Sequence, residues 1–508
     1  MRKVAAALVL VLAAGVGAGG EATIDPDAIL RHIKVLASDE MKGRANGSAE
    51  LERAGDYVAQ QFKAVGLEPG QGAGEWFQPF ELIAGLNVGR GNALSFEFQG
   101  KKINLVLGTS YYPLAAPGSE NSPSVSLDNV PLVFAGFGIS LPDIGYDDYA
   151  RVDVTGKAVL IFSHEPQERD PNSRLNGTRP MPQTTLQAKA SLARSKGARA
   201  LFVVADPTHR LDDAQYSVFK GDPDAEDVGF PVLRVRRDEM QPLLDAWRLE
   251  TAARQIDTDL MPRSEALRGA TVDYVEQLSK NRRTVRNVIG VLPGSDPARA
   301  KEAIVIGAHY DHVGVGGHLS MSPERTGEIH NGADDNASGT ASIIEMARVA
   351  AEQRARFSRT LIFVAFAGEE RGLLGSEHYA QHPVIPMANT LAMINLDMIG
   401  RARGGVDVSG LEVSPSMEAD FNAAAQAAGD GLAIARQGPG AGRSDDFNFS
   451  VRRVPAINFF TGFHGDYHRP TDDWDKIDPL GTKRVATLAL EFAAHIAKRS
   501  SRPEFIQK

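Results

Sequence analysis

The 508-residue chain contains 0 cysteines. Thiol nucleophiles, thiolate zinc sites, iron–sulfur clusters and disulfides are therefore excluded, and any metal must be held by His and carboxylates. A basic excess is missing too. The 55 Lys+Arg stand against 64 Asp+Glu, a formal net charge of −9, which leaves nothing to neutralise a phosphate backbone, so no nucleic-acid partner is expected. No Gly-x-Ser-x-Gly elbow occurs, so that signature of a serine nucleophile is absent. The apolar run Val4–Val16 falls short of the ~20 residues that cross a bilayer. It follows Arg2 and Lys3 and precedes Gly17, Ala18, Gly19 and Gly20, the pattern of a secretory signal peptide over residues 1–20, with cleavage near 18–22. The expectation is an exported protein, periplasmic or extracellular, with no membrane span after cleavage and, lacking cysteine, no lipid anchor.

What remains is ordinary globular material, 43% hydrophobic and 23% charged, enough for about three domains. Residues 25–66 read as helical: Ala54, Val58, Phe62 and Val65 recur on one face, and Gly66 sits at a capping position. Residues 87–107 are strand-like and punctuated by glycine. A second block, 125–235, holds the apolar strand candidates 131–134, 158–162, 200–204 and 231–235, with a helix over 185–196. Its histidines, His164 and His209, read as bystanders. After a charged helical stretch, 238–266, a strand over 286–294 opens an alternation of strands (303–308, 360–366, 391–397, 455–460) and helices (338–353, 374–382, 416–429, 482–498). Such alternation predicts an α/β fold, a mixed, mostly parallel central sheet flanked by helices. Ligands gather at the carboxyl ends of the strands of such sheets.

Five polar segments fall at those ends. His309-Tyr310-Asp311-His312 follows the first strand, and in extended chain Asp311 projects to the same side as His309, where it can orient the imidazole. Asn331–Gly339 carries the adjacent acids Asp334 and Asp335, Ala367–Gly372 carries Glu369 and Glu370, Asp397 ends its strand, and Gly465–Asp473 carries His468. Singly, each is explained by a surface turn, a helix cap or a favourable helix dipole. Together, hard and borderline ligands at one edge suit a two-metal site. Two His and three carboxylates can hold two zinc ions about 3.5–4 Å apart around a shared hydroxide, with one further carboxylate free to move protons.

These motifs resemble the di-zinc aminopeptidase family that includes the bacterial leucyl aminopeptidases and, more distantly, glutamate carboxypeptidase and the transferrin receptor. The resemblance covers about residues 270–500 and implies a zinc exopeptidase fold. It implies His309 as the first zinc ligand with Asp311 its orienting acid, Asp335 as the bridging carboxylate, Glu369 as the general base, and Glu370, Asp397 and His468 as the remaining ligands. His309 and Asp397 would share one zinc, Glu370 and His468 the other, with a cis peptide after Asp335. Phe134–Ile139 and Gly145–Tyr149 are similar to a protease-associated domain, a mainly-β insert, and His32–Asp39 with Gly43-Arg44 looks like the opening of family members that carry one. The implied domains are 21–110, the N-terminal part of the peptidase; 111–265, the insert; and 266–508, the catalytic domain. Tyr467 is a candidate substrate contact. Ser444-Asp445-Asp446-Phe447 departs from the Ser-Asp-His usual in related sequences, which bears on the shape of the substrate pocket. The expected activity is removal of N-terminal residues from peptide substrates. The alternatives are a carboxypeptidase or dipeptidase, for which Arg401, Arg403 or Arg443 would bind a terminal carboxylate; a catalytically silent binding homologue; and a glutaminyl cyclase. Mn²⁺ or Co²⁺ would also suit the donors.

Overall fold

The computed structural model describes residues 22–71, 74–115, 124–175, 177, 182–208, 230–316, 319–322, 325, 327–428, 431–437 and 444–506. Residues 1–20, for which the sequence pattern suggests a signal peptide, His209 and Arg443 lie outside the described residues.

One strand organises the molecule. Glu265–Leu292 runs for 28 residues, and its two halves join different sheets. The first half pairs with Ala93–Phe98 and Ser124–Phe134, the second with Phe77–Val88 and Thr360–Phe366. The sequence reading starts this strand at residue 286 and carries a helix to 266. In the structure the helices Arg237–Ala246 and Leu249–Asp259 stop first, with Arg248 and Leu260 in the left-handed region. Charges at Glu276, Arg282, Arg283 and Arg286 dilute the apolar alternation of the ribbon, which hides its period of two in the sequence.

In the larger sheet, Thr360–Phe366, Ala303–His309, Thr390–Leu396 and Ala456–Phe460 lie side by side and parallel. Gly405–Ser409 and Ala433–Arg436, absent from the sequence reading, extend it beyond Ala456–Phe460, Gly405–Ser409 running antiparallel to that strand. The sheet is therefore mixed, with a parallel centre. The three central strands are buried along their whole length, as strands covered on both faces must be. Alternate side chains serve the two layers. Ile304, Ile306 and Ala308 pack with the helices Pro26–Leu36, Ala49–Ala64, Gly339–Glu352 and Pro479–Lys498, while Ala303 and Val305 pack with Tyr379 and Phe449 on the other face.

The second body has its own core and a sheet in which Ser124–Phe134, Ala158–Phe162, Ala200–Val204 and Val232–Val235 are parallel. Ala93–Phe98 and Lys101–Leu105 also pack here, so this core draws on chain before residue 111 and on the first half of the long strand. The two motifs singled out in this block interlock: Asp148 is buried and accepts hydrogen bonds from the Phe137 and Ile139 N–H groups, each at 3.1 Å, and from Tyr146 Oη at 3.0 Å. No helix among the described residues is long and apolar enough to cross a membrane.

Candidate metal centre

Parallel central strands deliver their carboxyl ends to one edge. His309 is the last residue of its strand, Asp397 follows Leu396 directly, and Glu369 and Glu370 form a turn after Phe366. Asp335 sits in a kinked segment, Ala333–Ser338, that runs into the helix Gly339–Glu352, and the peptide bond Asp335–Asn336 is cis. Gly339 is required here, because a Cβ would lie 2.2 Å from the Leu396 carbonyl oxygen.

Asp335 faces both histidine clusters. Its Oδ1 lies 3.4 Å from His309 Nε2 and its Oδ2 lies 3.2 Å from His468 Nε2. His309 Nε2 is also 3.3 Å from Asp397 Oδ1 and 3.9 Å from Glu369 Oε2. On the other side, Glu370 Oε2 is 3.0 Å from His468 Nε2 and Glu370 Oε1 is 2.9 Å from His312 Nδ1. Two donor groups result, His309 with Asp335 and Asp397, and His312 and His468 with Asp335 and Glu370, the donor atoms of each lying within 4.8 Å of one another. Glu369 belongs to neither group. The structure thus brings all five sequence-proposed ligands together and adds His312.

The histidine tautomers follow from their partners. His468 Nδ1 meets the Leu319 carbonyl at 2.8 Å and His309 Nδ1 meets the Asp311 carbonyl at 3.2 Å. A carbonyl only accepts, so each Nδ1 carries hydrogen and each Nε2 can turn a lone pair inward. His468 Nε2 is buried and close to two carboxylates yet aligned in a hydrogen bond with neither, which is how donors converging on a cation are arranged. The donor set of imidazole and carboxylate fits zinc. The electrostatics agree: burial disfavours a charged imidazole, but Glu370 and Asp335 push His468 up to about 11, and Glu369 and Asp397 push His309 well above its ordinary value. These acids call for positive charge at this edge.

Asp311 acts differently from the sequence expectation. Its carboxylate is 3.8 Å from His309 Nδ1, and it accepts instead from Asn46 Nδ2 at 2.6 Å and from the Glu369 and Glu370 N–H groups, each at 3.2 Å. His309 is oriented by the Asp311 main chain, while the Asp311 side chain fixes the turn that presents the paired glutamates. The neighbouring acid Asp334 turns away, accepting from the Gly400 N–H at 2.6 Å and contacting His464 Nε2 at 3.0 Å. Asp472 accepts from both the Asp334 and Asp335 N–H groups, at 2.9 and 3.1 Å, and is held by Arg401 at 2.7 Å.

The Gly43-Arg44 motif locks this edge from behind. Arg44 is fully buried and donates to the carbonyls of Leu36, Tyr310, Asn331 and Gly332 at 2.6–3.0 Å. Gly43 permits the approach, since a Cβ there would meet the His330 carbonyl oxygen at 2.3 Å. Sequence reasoning missed His312, Arg44 and Asp472 as parts of the site. His312 stands one residue beyond Asp311 in the motif already singled out.

A cavity of about 550 Å³ is lined by His309, Asp335, Glu369, Glu370 and Asp397 together with Asp407, Asp446, Phe463 and Tyr467. Tyr467 stacks on the His468 ring, 3.9 Å between centroids, and forms part of the wall.

Residues 287–493 match the model of peptidase family M28. The matched segment is similar to the peptidase domains of that family. It contains the whole cluster, from His309 to His468. Aminopeptidase YwaD of Bacillus subtilis is 28% identical over 239 residues, 44% of this chain and 48% of that protein. Leucine aminopeptidase 1 of Trichophyton rubrum is 37% identical over 132 residues, 25% of this chain and 32% of the relative. The alignments therefore span about half or less of these curated relatives. Beyond the M28 segment the fold is shared as well. An aminopeptidase from Aneurinibacillus sp. strain AM-1 superposes with a TM-score of 0.60 at 22% identity, covering 95% of this chain and 96% of that one. A zinc aminopeptidase from Bacillus subtilis does so with a TM-score of 0.55 at 20% identity, covering 96% and 100%.

Proposed function

We propose that the chain is an exported zinc aminopeptidase that removes N-terminal residues from peptides, with a protease-associated domain inserted beside its catalytic domain. The observation that carries the reading is the pair of donor groups sharing Asp335, with the carboxylate of Glu369, a member of neither group, beside them, and one open cavity lined by His309, Asp335, Glu369, Glu370 and Asp397. Two zinc ions would be held by His309, Asp335 and Asp397 and by Asp335, Glu370 and His468; zinc supplies the Lewis acidity that polarises the scissile carbonyl and acidifies the attacking water.

The chain's own groups do the rest. Burial, with Glu370 and Asp397 nearby, raises Glu369 well above a normal carboxyl, the direction a general base working near neutral pH requires. Glu369 takes the proton from the attacking water and passes it to the departing amine. Asp311 keeps Glu369 at this station by binding its N–H. The acids of the cavity suit a free α-ammonium. A carboxypeptidase would need a free cation there, and Arg401 is engaged with Asp466 at 3.0 Å and Asp472 at 2.7 Å, while no Lys or Arg lines the cavity among the described residues.

The test compares free and N-acetylated aminoacyl p-nitroanilides with the zinc-loaded protein. Hydrolysis of the free compounds alone, lost on chelation and restored by zinc, is the expected result. Cleavage of the acetylated compounds, or of a C-terminal residue, would replace the reading with one of its rivals.

A further inference from the structure

The metal-binding end of the cavity accounts for only part of its acidity. Formally, two divalent ions balance Asp335, Glu369, Glu370 and Asp397. Asp407 and Asp446 also line the cavity and lie outside that balance. Asp407 is on the strand Gly405–Ser409, directly across from Phe460 in the ladder, so the two side chains stand together on one face. Asp446 begins the short helix Asp446–Ser450 and is 8% exposed. Neither carboxylate meets a cation or a hydrogen-bond donor from another residue among the described residues. Leaving a buried carboxylate unpaired costs free energy, so a group that supplies the missing charge is favoured. Burial together with Asp445, Asp397 and Glu412 pushes Asp446 up to about 8, and an arriving cation is the ligand that relieves this repulsion.

The walls add a second requirement. Phe460, Phe463 and Tyr467 line the same cavity, with the Phe463 ring at 5.0 Å from Phe460 and 4.9 Å from Tyr467 in edge-to-face contact. A cavity that offers both aromatic rings and unpaired carboxylates fits a side chain with a methylene stem and a positive tip, which buries the stem and leaves its head among the acids. Asp446 stands at the position where the Ser-Asp-His pattern of related sequences has its histidine.

We infer that this pocket selects peptides whose N-terminal residue is Lys or Arg, with Asp446 and Asp407 reading the cationic tip. The inference rests on the aminopeptidase reading and names its substrate class. Ser409, which also lines the pocket, offers the tip a further hydrogen-bond acceptor.

The experiment measures kcat/KM of the zinc-loaded protein for lysyl, arginyl, norleucyl and leucyl p-nitroanilides. Norleucine keeps the lysine stem and lacks the charge. Lysine should exceed norleucine about tenfold or more, the effect expected of a desolvated charge pair. In Asp446→Asn and, separately, Asp407→Asn, this ratio should fall towards one. A wild-type ratio near or below one overturns the inference. So does a ratio that both variants leave unchanged, because Asp446 would then serve the α-amine that all substrates share. If the wild type hydrolyses none of the four, the aminopeptidase reading is what fails, and calorimetry with L-lysinamide and L-norleucinamide decides the pocket: tighter L-lysinamide binding that Asp446→Asn abolishes upholds it, and equal binding overturns it.

Discussion

Lys189 and Arg44 are both buried cations, one in each body of the molecule, and they differ in what they neutralise. Lys189, in the helix Leu186–Ser195, donates to the His164 carbonyl and faces the carboxylates of Asp148, Glu165 and Asp206. Burial lowers it to about 8, and those acids work to keep it charged. Its body carries its own counterion. Arg44 instead directs its donors at four main-chain carbonyls, and so holds two loops together, while the carboxylates of Asp335, Glu369, Glu370 and Asp397 form no salt bridge to Lys or Arg among the described residues. Buried acid balanced from within is architecture; buried acid left unbalanced around inward-facing imidazoles is a place for an ion.

The hardest blow to this contrast would come from Glu369. If it were architectural like Asp148, Glu369→Gln would destabilise the fold and leave catalysis in proportion to folded protein. The expected outcome is a fall in kcat of about 10³ with zinc content and melting temperature near the wild type, the loss of a general base. Metal removal probes the same contrast through stability. Chelation should destabilise the catalytic body by about 4 kcal/mol at saturating initial zinc. Hydrogen exchange should then quicken in Ala303–His309 and Thr360–Phe366 and stay unchanged in Ala158–Phe162. Uniform quickening across both sheets would mean that the acids of the two bodies do not differ.

Lys189→Met tests the other side. It removes the internal counterion and should cost the second body about 3 kcal/mol, the typical effect of leaving buried acids unpaired. Exchange would rise in Ala158–Phe162 and Ala200–Val204, with turnover and zinc content retained. A variant as stable as the wild type would show that Asp148 is satisfied by the Phe137 and Ile139 N–H groups and Tyr146 alone.

Much of this division was legible in the sequence because the central strands are apolar without interruption and each ends in a His or an acid. Residues 303–309, 360–366 and 390–396 announce their burial by composition, and 309, 369, 370 and 397 stand at or just past the points where such strands stop, while 335 and 468 lie in loops that the fold brings to the same edge. The long strand Glu265–Leu292 was not legible, since charged residues on a ribbon partly open to solvent obscure a period of two. Gly405–Ser409 and Ala433–Arg436 were missed because they are short and only in part apolar. Asp311 was legible as part of the site and misread in its contacts, as spacing says which face a side chain takes and nothing of which neighbour reaches it first. Arg44 lies 265 residues before His309, and no local pattern tells that its guanidinium passes behind the metal edge.

His312 is the residue on which the comparison is most finely poised, because it is neither an unbalanced acid nor an internal cation. It is fully buried, 2.9 Å from Glu370 Oε1 and 3.8 Å from Asp335 Oδ2, its ring edge-on to His468 at 5.5 Å, and its Nε2 has no hydrogen-bond partner among the described residues. If it steers Glu370 towards the ion shared with His468, then His312→Asn should weaken zinc at that group by about tenfold, the usual scale for a residue that orients a ligand. Titration against a chromogenic chelator should resolve two zinc affinities, with the one belonging to His309, Asp335 and Asp397 unmoved. A merely structural histidine would lower the melting temperature and shift both affinities together or neither, and Glu370 would then owe its position to Asp311 and His468 alone.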